Sequence, residues 1–261
     1  MHDLPSLYHL PIHRHGSVFL LLSSLALPRF SLKPPRGGAI VYRAGQYHPK
    51  LITHIFSICT PYFPPSPVYE PLHLLVNKRL PNFRYQEHFA SGELEETLQS
   101  RSEIKQFLNG MYGARGPNGE VAFDATKGVS LSNLPKLGMT KLLSEAELDY
   151  YSQEYARHGL HGPLNWYRNR EVNYVEELEY FFKEGQAKEG PMVEQEVLFV
   201  LATKDQALKP HMAAKMEQRI GKLTRREVKA GHWALWEKPE EVNGILEEWF
   251  DGVVFGGKSK L

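Results

Sequence analysis

The run Gly-Gly-Ala-Ile-Val-Tyr-Arg-Ala from Gly37 to Ala44 starts with small residues and continues as a stretch compatible with a helix as far as Pro49. Leu51-Ile52 and then Ile55-Phe56-Ser57-Ile58-Cys59 form a β-branched and aromatic run of strand length, ended by Thr60-Pro61 and by Pro64, Pro65 and Pro67. From 68 to 190 the pattern is mostly helical, in short amphipathic pieces. Its clearest start is Ser144, where Ser144 with Glu147 predicts a capping box and Leu143 with Leu148 a hydrophobic staple, before Tyr151 and Tyr155 continue the apolar face. Between Gly113 and Leu137, clustered Gly, Pro and Asn predict a loop. After Gly190-Pro191 strand and helix alternate. Val197-Leu198-Phe199-Val200-Leu201-Ala202 has the continuous apolar form of a parallel strand buried on both faces. Pro210 to Arg219 predicts a helix and Thr224 to Val228 a strand. Pro239 then opens a helix with Val242, Ile245, Leu246, Trp249 and Phe250 on one face. The expected fold class is α/β, with parallel strands and flanking helices interrupted by a helical insertion.

That arrangement gives two residues chemical meaning. In open α/β sheets, functional groups collect on loops leaving the carboxyl ends of strands. Asp205 follows the strand ending at Ala202, and His232 follows the strand ending near Val228. On adjacent strands the two would meet as the acid and base of a hydrolytic triad, the carboxylate fixing the imidazole tautomer while the other ring nitrogen takes a proton from water. Spacing alone equally admits Asp205 as a turn residue and His232 as a surface histidine.

Composition removes several other function classes. With 42% hydrophobic and 23% charged residues over 261 positions, the chain has the balance of a globular protein. Lys+Arg 31 against Asp+Glu 30, without a basic block, argues against a nucleic-acid partner. No Cys/His cluster has metal-ligand spacing, so neither a metal nor a cofactor is expected. The single cysteine, Cys59, lies in an apolar run and reads as a structural thiol of a reducing compartment. The apolar run Val18 to Leu27 is shorter than the about 20 residues a bilayer span needs, so no membrane span is expected. Ser259-Lys260-Leu261 after Gly256-Gly257 matches the tripeptide read by the peroxisomal import receptor, which makes the peroxisome the expected location and that receptor an expected partner. His9, His13 and His15 read as solvated.

Leu160-His161-Gly162-Pro163-Leu164-Asn165-Trp166-Tyr167-Arg168 resembles the lid motif of soluble epoxide hydrolases of the α/β-hydrolase fold, the fungal ones in particular, and Phe83-Arg84-Tyr85-Gln86 resembles that family's other lid-tyrosine segment. The segments 82–90, 111–119, 134–151 and 203–205 fit in the same order, so the likeness covers nearly all of 37–251. It implies a division into a core at 37–67, a helical lid at 68–190, a second core part at 191–252 and a flexible tail at 253–261. It also implies that Tyr85 and Tyr167 grip the epoxide oxygen. Ring opening creates an alkoxide, and two neutral phenols can stabilise and protonate it.

The resemblance breaks at one place. The family's nucleophilic aspartate sits in Gly-His-Asp-Trp-Gly-Gly, where this chain reads Lys33-Pro34-Pro35-Arg36-Gly37-Gly38, so Pro35 stands at the nucleophile's position. The oxyanion segment is missing as well, since His15-Gly16 continues as Ser17-Val18. Met1–Arg36 reads as non-family sequence without an assignable fold, as though the chain were N-terminally truncated. The first expectation is an epoxide hydrolase relative, acting on a small apolar epoxide but inactive for want of its nucleophile. The alternatives are a non-enzymatic remnant that binds apolar ligands, as a homo-oligomer or paired with a full-length relative, and a haloalkane dehalogenase-like hydrolase.

Overall fold

The computed structural model describes residues 20–22, 34–183 and 189–256. Chain order begins with β1 (Leu20–Leu22), α1 (Pro34–Tyr47) and β2 (His54–Ile58). A helical segment follows, with α2 (Leu72–Lys78), α3 (Tyr85–Ala90), α4 (Glu93–Thr97) and α5 (Arg101–Met111). It continues through the two-residue strands β3 (Phe123–Asp124) and β4 (Gly128–Val129) to α6 (Glu145–His158), α7 (His161–Asn165) and α8 (Arg170–Phe181). The chain then returns through β5 (Glu196–Ala202) and β6 (Leu223–Val228) to α9 (Ala234–Glu237) and α10 (Pro239–Trp249).

β1, β2, β5 and β6 form a parallel sheet in that order, with Leu20 opposite His54, Ile55 opposite Val197 and Ala202 opposite Val228. Side chains alternate across a strand, and β5 shows why its apolar run is unbroken. Val197, Phe199 and Leu201 pack with Val41 and Tyr42 of α1 on one face, while Leu198, Val200 and Ala202 pack with Val242 and Trp249 of α10 on the other. A third cluster fills the helical segment, joined from the sheet side by Ala207 and Trp233. Among the described residues, no helix is long and apolar enough to cross a membrane.

α1 lies close to β2 because two of its residues have no side chain. A Cβ on Gly38 would stand 2.3 Å from Cβ of Thr60, and one on Gly45 would stand 2.6 Å from Cδ1 of Ile55. The predicted start of α6 is present in full. Ser144 accepts from the Glu147 N–H and donates its own N–H to the Glu147 carboxylate at 2.7 Å, while Leu143 and Leu148 share a core cluster.

Three expectations change. The segment before Gly37 is not without structure: Leu20–Leu22 pairs with β2, and α1 starts at Pro34 rather than Gly37. Proline suits a first helical turn, whose N–H groups have no intrahelical partner in any case. Pro210–Arg219 is not a continuous helix but two 3₁₀ turns, Pro210–Ala213 and Met216–Gln218. The break falls where the Ala213 carbonyl accepts from Arg225 Nη2 at 2.8 Å, and the split keeps Ala213, Met216 and Ile220 all in the core. The loop predicted over 113–137 contains the β3–β4 pair and a 3₁₀ turn at Leu131–Lys136. His9, His13, the His15-Gly16 pair and the Ser259-Lys260-Leu261 tail lie outside the described residues.

Candidate active site

β5 and β6 are neighbours, so the loops leaving their carboxyl ends run together, tied by Thr203 N–H to Val228 O at 3.0 Å and Lys204 N–H to Ala230 O at 2.9 Å. Asp205 is buried at this junction. Its Oδ1 accepts the N–H groups of Ala207 and Leu208 at 2.8 and 2.9 Å, and its Oδ2 accepts Nδ1–H of His232 at 2.7 Å. Burial works against the Asp205 charge, but His232 and the two backbone donors outweigh it and hold the carboxyl below its ordinary value. The His232 loop is braced twice more: Gly231 N–H donates to Glu237 Oε2 at 2.8 Å, and the Cys59 thiol lies 3.5 Å from the His232 carbonyl.

Tyr85 opens α3, buried, with its N–H on the Ala125 carbonyl at 3.2 Å and its ring edge-on to Phe123 and Phe89. Tyr167 follows α7 and is also buried. Its ring centroid lies 6.1 Å from that of Tyr85 at 77° and 4.9 Å from that of Phe89. A cavity of about 510 Å³ opens where the helical segment meets the sheet loops, and its wall includes Tyr85, Asp205, His232 and Trp233. Tyr167 stands behind that wall, its ring packed against those of Phe89 and Tyr85. Three of the four expected residues therefore share one cavity, and the fourth reaches it through Tyr85. Pro35 is a first-turn residue of α1 and supplies no carboxylate.

Several residues at the site had no reading from the sequence. Arg115, Asp124, Lys204 and Lys209 also line the cavity. Trp233 docks the His232 loop onto the helical segment: its Nε1–H donates to the Met111 carbonyl at 2.8 Å, and its ring stacks on Tyr112 at 4.0 Å. Trp233→Phe, which keeps a ring and removes the donor, is expected to cost about 1–2 kcal/mol in urea denaturation because the Met111 carbonyl is left buried without that donor. Cys59 is the only described non-glycine residue with positive φ, at 66°, and the Thr60 N–H reaches back to the Ile58 carbonyl at 2.8 Å in a γ-turn. Such a turn is strained, and here it sits directly against the His232 backbone. Burial pushes the Cys59 thiol up, so it stays protonated and unreactive. Among the described residues, no group of three or more His, Cys, Asp or Glu side chains is placed to hold a metal ion.

A family model for the alpha/beta hydrolase fold matches residues 36–239. Epoxide hydrolase srdG of Neurospora crassa is 37% identical over 218 residues, covering 81% of this chain and 62% of that protein. Bifunctional epoxide hydrolase 2 of Mus musculus is 32% identical over 216 residues, covering 81% of this chain and 37% of that protein. The chain thus spans less than two thirds of either relative. Among solved structures, epoxide hydrolase VrEH1 from Vigna radiata superimposes with a TM-score of 0.64 at 19% identity, over 82% of this chain and 66% of that one. Epoxide Hydrolase A from Mycobacterium thermoresistibile gives 0.62 at 22% identity, over 83% and 67%; at these identities both likenesses speak for the fold. The chain belongs to the alpha/beta hydrolase fold family, and its similarity within that family is to epoxide hydrolases.

Proposed function

We propose that this chain binds small apolar epoxides in the cavity between its helical segment and the sheet loops, with the groups that handle oxygen and water in place and the ester-forming carboxylate absent. Tyr85 donates its phenolic proton towards the epoxide oxygen, where an alkoxide develops on ring opening, and Tyr167 supports it as the second phenol. Asp205 holds His232 with Nδ1–H pointing at the carboxylate, so Nε2 is the nitrogen that takes a proton from water. A complete set would attack the ring carbon with a carboxylate, and this water would then cleave the ester to give a vicinal diol. With proline at position 35 no ester forms, and hydrolysis by direct attack of water is negligible.

One observation carries the reading: Tyr85 and the Asp205–His232 pair open onto one cavity whose wall otherwise includes Met111, Phe123 and Trp233. A haloalkane substrate is disfavoured, because halide release calls for a free N–H donor and the Trp233 indole is committed to the Met111 carbonyl. The test is titration of the protein with styrene oxide, followed by intrinsic tryptophan fluorescence, to which Trp233 in the cavity wall contributes. Saturable quenching is expected, with Tyr85→Phe weakening affinity about 5–10-fold for one lost hydrogen bond and Tyr167→Phe weakening it less. Equal affinity in wild type and Tyr85→Phe would overturn the proposal.

A further inference from the structure

The two tyrosines hang from separate pieces of chain, and a single guanidinium joins those pieces. Tyr85 begins α3 and Ala90 ends it, while Arg168 directly follows Tyr167. Arg168 Nε donates to the Ala90 carbonyl at 3.0 Å, and its Nη1 donates to Glu95 Oε1 on α4 and to Asn165 Oδ1 on α7, both at 2.8 Å. Carbonyls at a helix end have no intrahelical partner, so the first of these bonds closes α3. Arg168 and Glu95 are partly buried, with side chains 27% and 20% exposed. Burial works against the Glu95 charge, but Arg168 and then His161 hold its carboxyl below the ordinary value, which favours the Glu95 carboxylate.

We propose that Arg168 is a positioning residue that sets the Tyr85 and Tyr167 rings against each other. The inference rests on the reading that this pair serves an epoxide oxygen. At about 1.5 Å per residue, the five steps of α3 carry a tilt at the Ala90 end to the Tyr85 ring over about 7.5 Å. Tyr167 lies one residue from the clamp, so slack there changes its distance from Tyr85 directly. Catalytic and binding groups tolerate little of this, since a misplacement of about 1 Å can cost roughly a hundredfold. The fork geometry matters as much as the charge: three acceptors in three directions suit a planar guanidinium, and an ammonium on a flexible stem cannot hold them together.

The full chain carrying Arg168→Lys is compared with wild type by melting temperature, by NMR of tyrosines labelled at Cζ, and by styrene oxide affinity. Tyr85 and Tyr167 resonances are assigned from Tyr85→Phe and Tyr167→Phe. Arg168→Lys is expected to melt within a few degrees of wild type, to shift both tyrosine resonances, and to weaken styrene oxide binding about 3–5-fold, whereas a merely stabilising arginine would leave both resonances in place. A folded Arg168→Lys protein with unmoved resonances and unchanged affinity overturns the inference. If the resonances move while wild type binds no styrene oxide, the clamp stands and the epoxide reading fails. Glu95→Gln removes the charge of one partner while keeping its shape and is expected to shift the same two resonances, which keeps the test decisive if an Arg168 variant folds poorly.

Discussion

Replacing Asp205 by alanine is expected to cost about 3–5 kcal/mol of folding stability at pH 7, enough to consume much of a typical domain's margin. Its side chain is fully buried and accepts three hydrogen bonds, so truncation strands the N–H groups of Ala207 and Leu208 and leaves Nδ1 of His232 without its acceptor. The pH dependence has a definite sign. The folded Asp205 carboxyl sits below its unfolded value, so its contribution is fully present above about pH 4 and is lost as pH falls through the folded value. Urea denaturation of wild type and Asp205→Ala at pH 7 and again near pH 3 should therefore give a large difference that shrinks in acid. A difference under 1 kcal/mol at pH 7 would mean the carboxylate does not hold this junction together.

The second large effect is expected at Gly38→Val, at about 3 kcal/mol or more. A Cβ there would meet Cβ of Thr60 at 2.3 Å and Oγ of Ser57 at 2.7 Å, well inside contact distance, and both neighbours are buried. Neither can yield freely, because Ser57 Oγ donates to the Thr60 carbonyl at 2.7 Å across the strained Cys59 turn. α1 would have to lift from β2, disturbing the turn that backs the His232 loop. Thermal unfolding should show a drop of roughly ten degrees or more, and a Gly38→Val protein as stable as wild type would show that the close approach is unimportant.

The elements most legible in the sequence were those whose local pattern agreed with their burial. β5 announced itself because it is covered on both faces, and α6 because Ser144 and Glu147 cap it reciprocally. The same signal stood at Ser100 and Glu103, which form a second capping box at the start of α5 and drew no reading. Asp205 and His232 could be paired because adjacent parallel strands bring their following loops together, a consequence of topology rather than of distance along the chain. Residues placed by tertiary contacts alone were not legible. The Arg168 fork, the Trp233 bond to Met111 and the Cys59 turn each depend on a carbonyl contributed by a different element or on a backbone torsion, and no spacing encodes them. The 210–219 stretch was misread because helical periodicity cannot register that Arg225 takes the Ala213 carbonyl. The packing of the Tyr167 ring on Phe89, 4.9 Å between centroids, is likewise a tertiary contact that no motif encodes.

The most direct test of the account is the fate of styrene oxide incubated in excess with wild-type protein and with His232→Ala, following diol by chromatography and the protein by intact mass. The account predicts diol at the protein-free rate in both samples and no protein species heavier by one substrate. Diol produced by wild type and lost in His232→Ala, or a substrate-mass adduct on a carboxylate, would contradict it by showing that the ring is attacked despite proline at position 35.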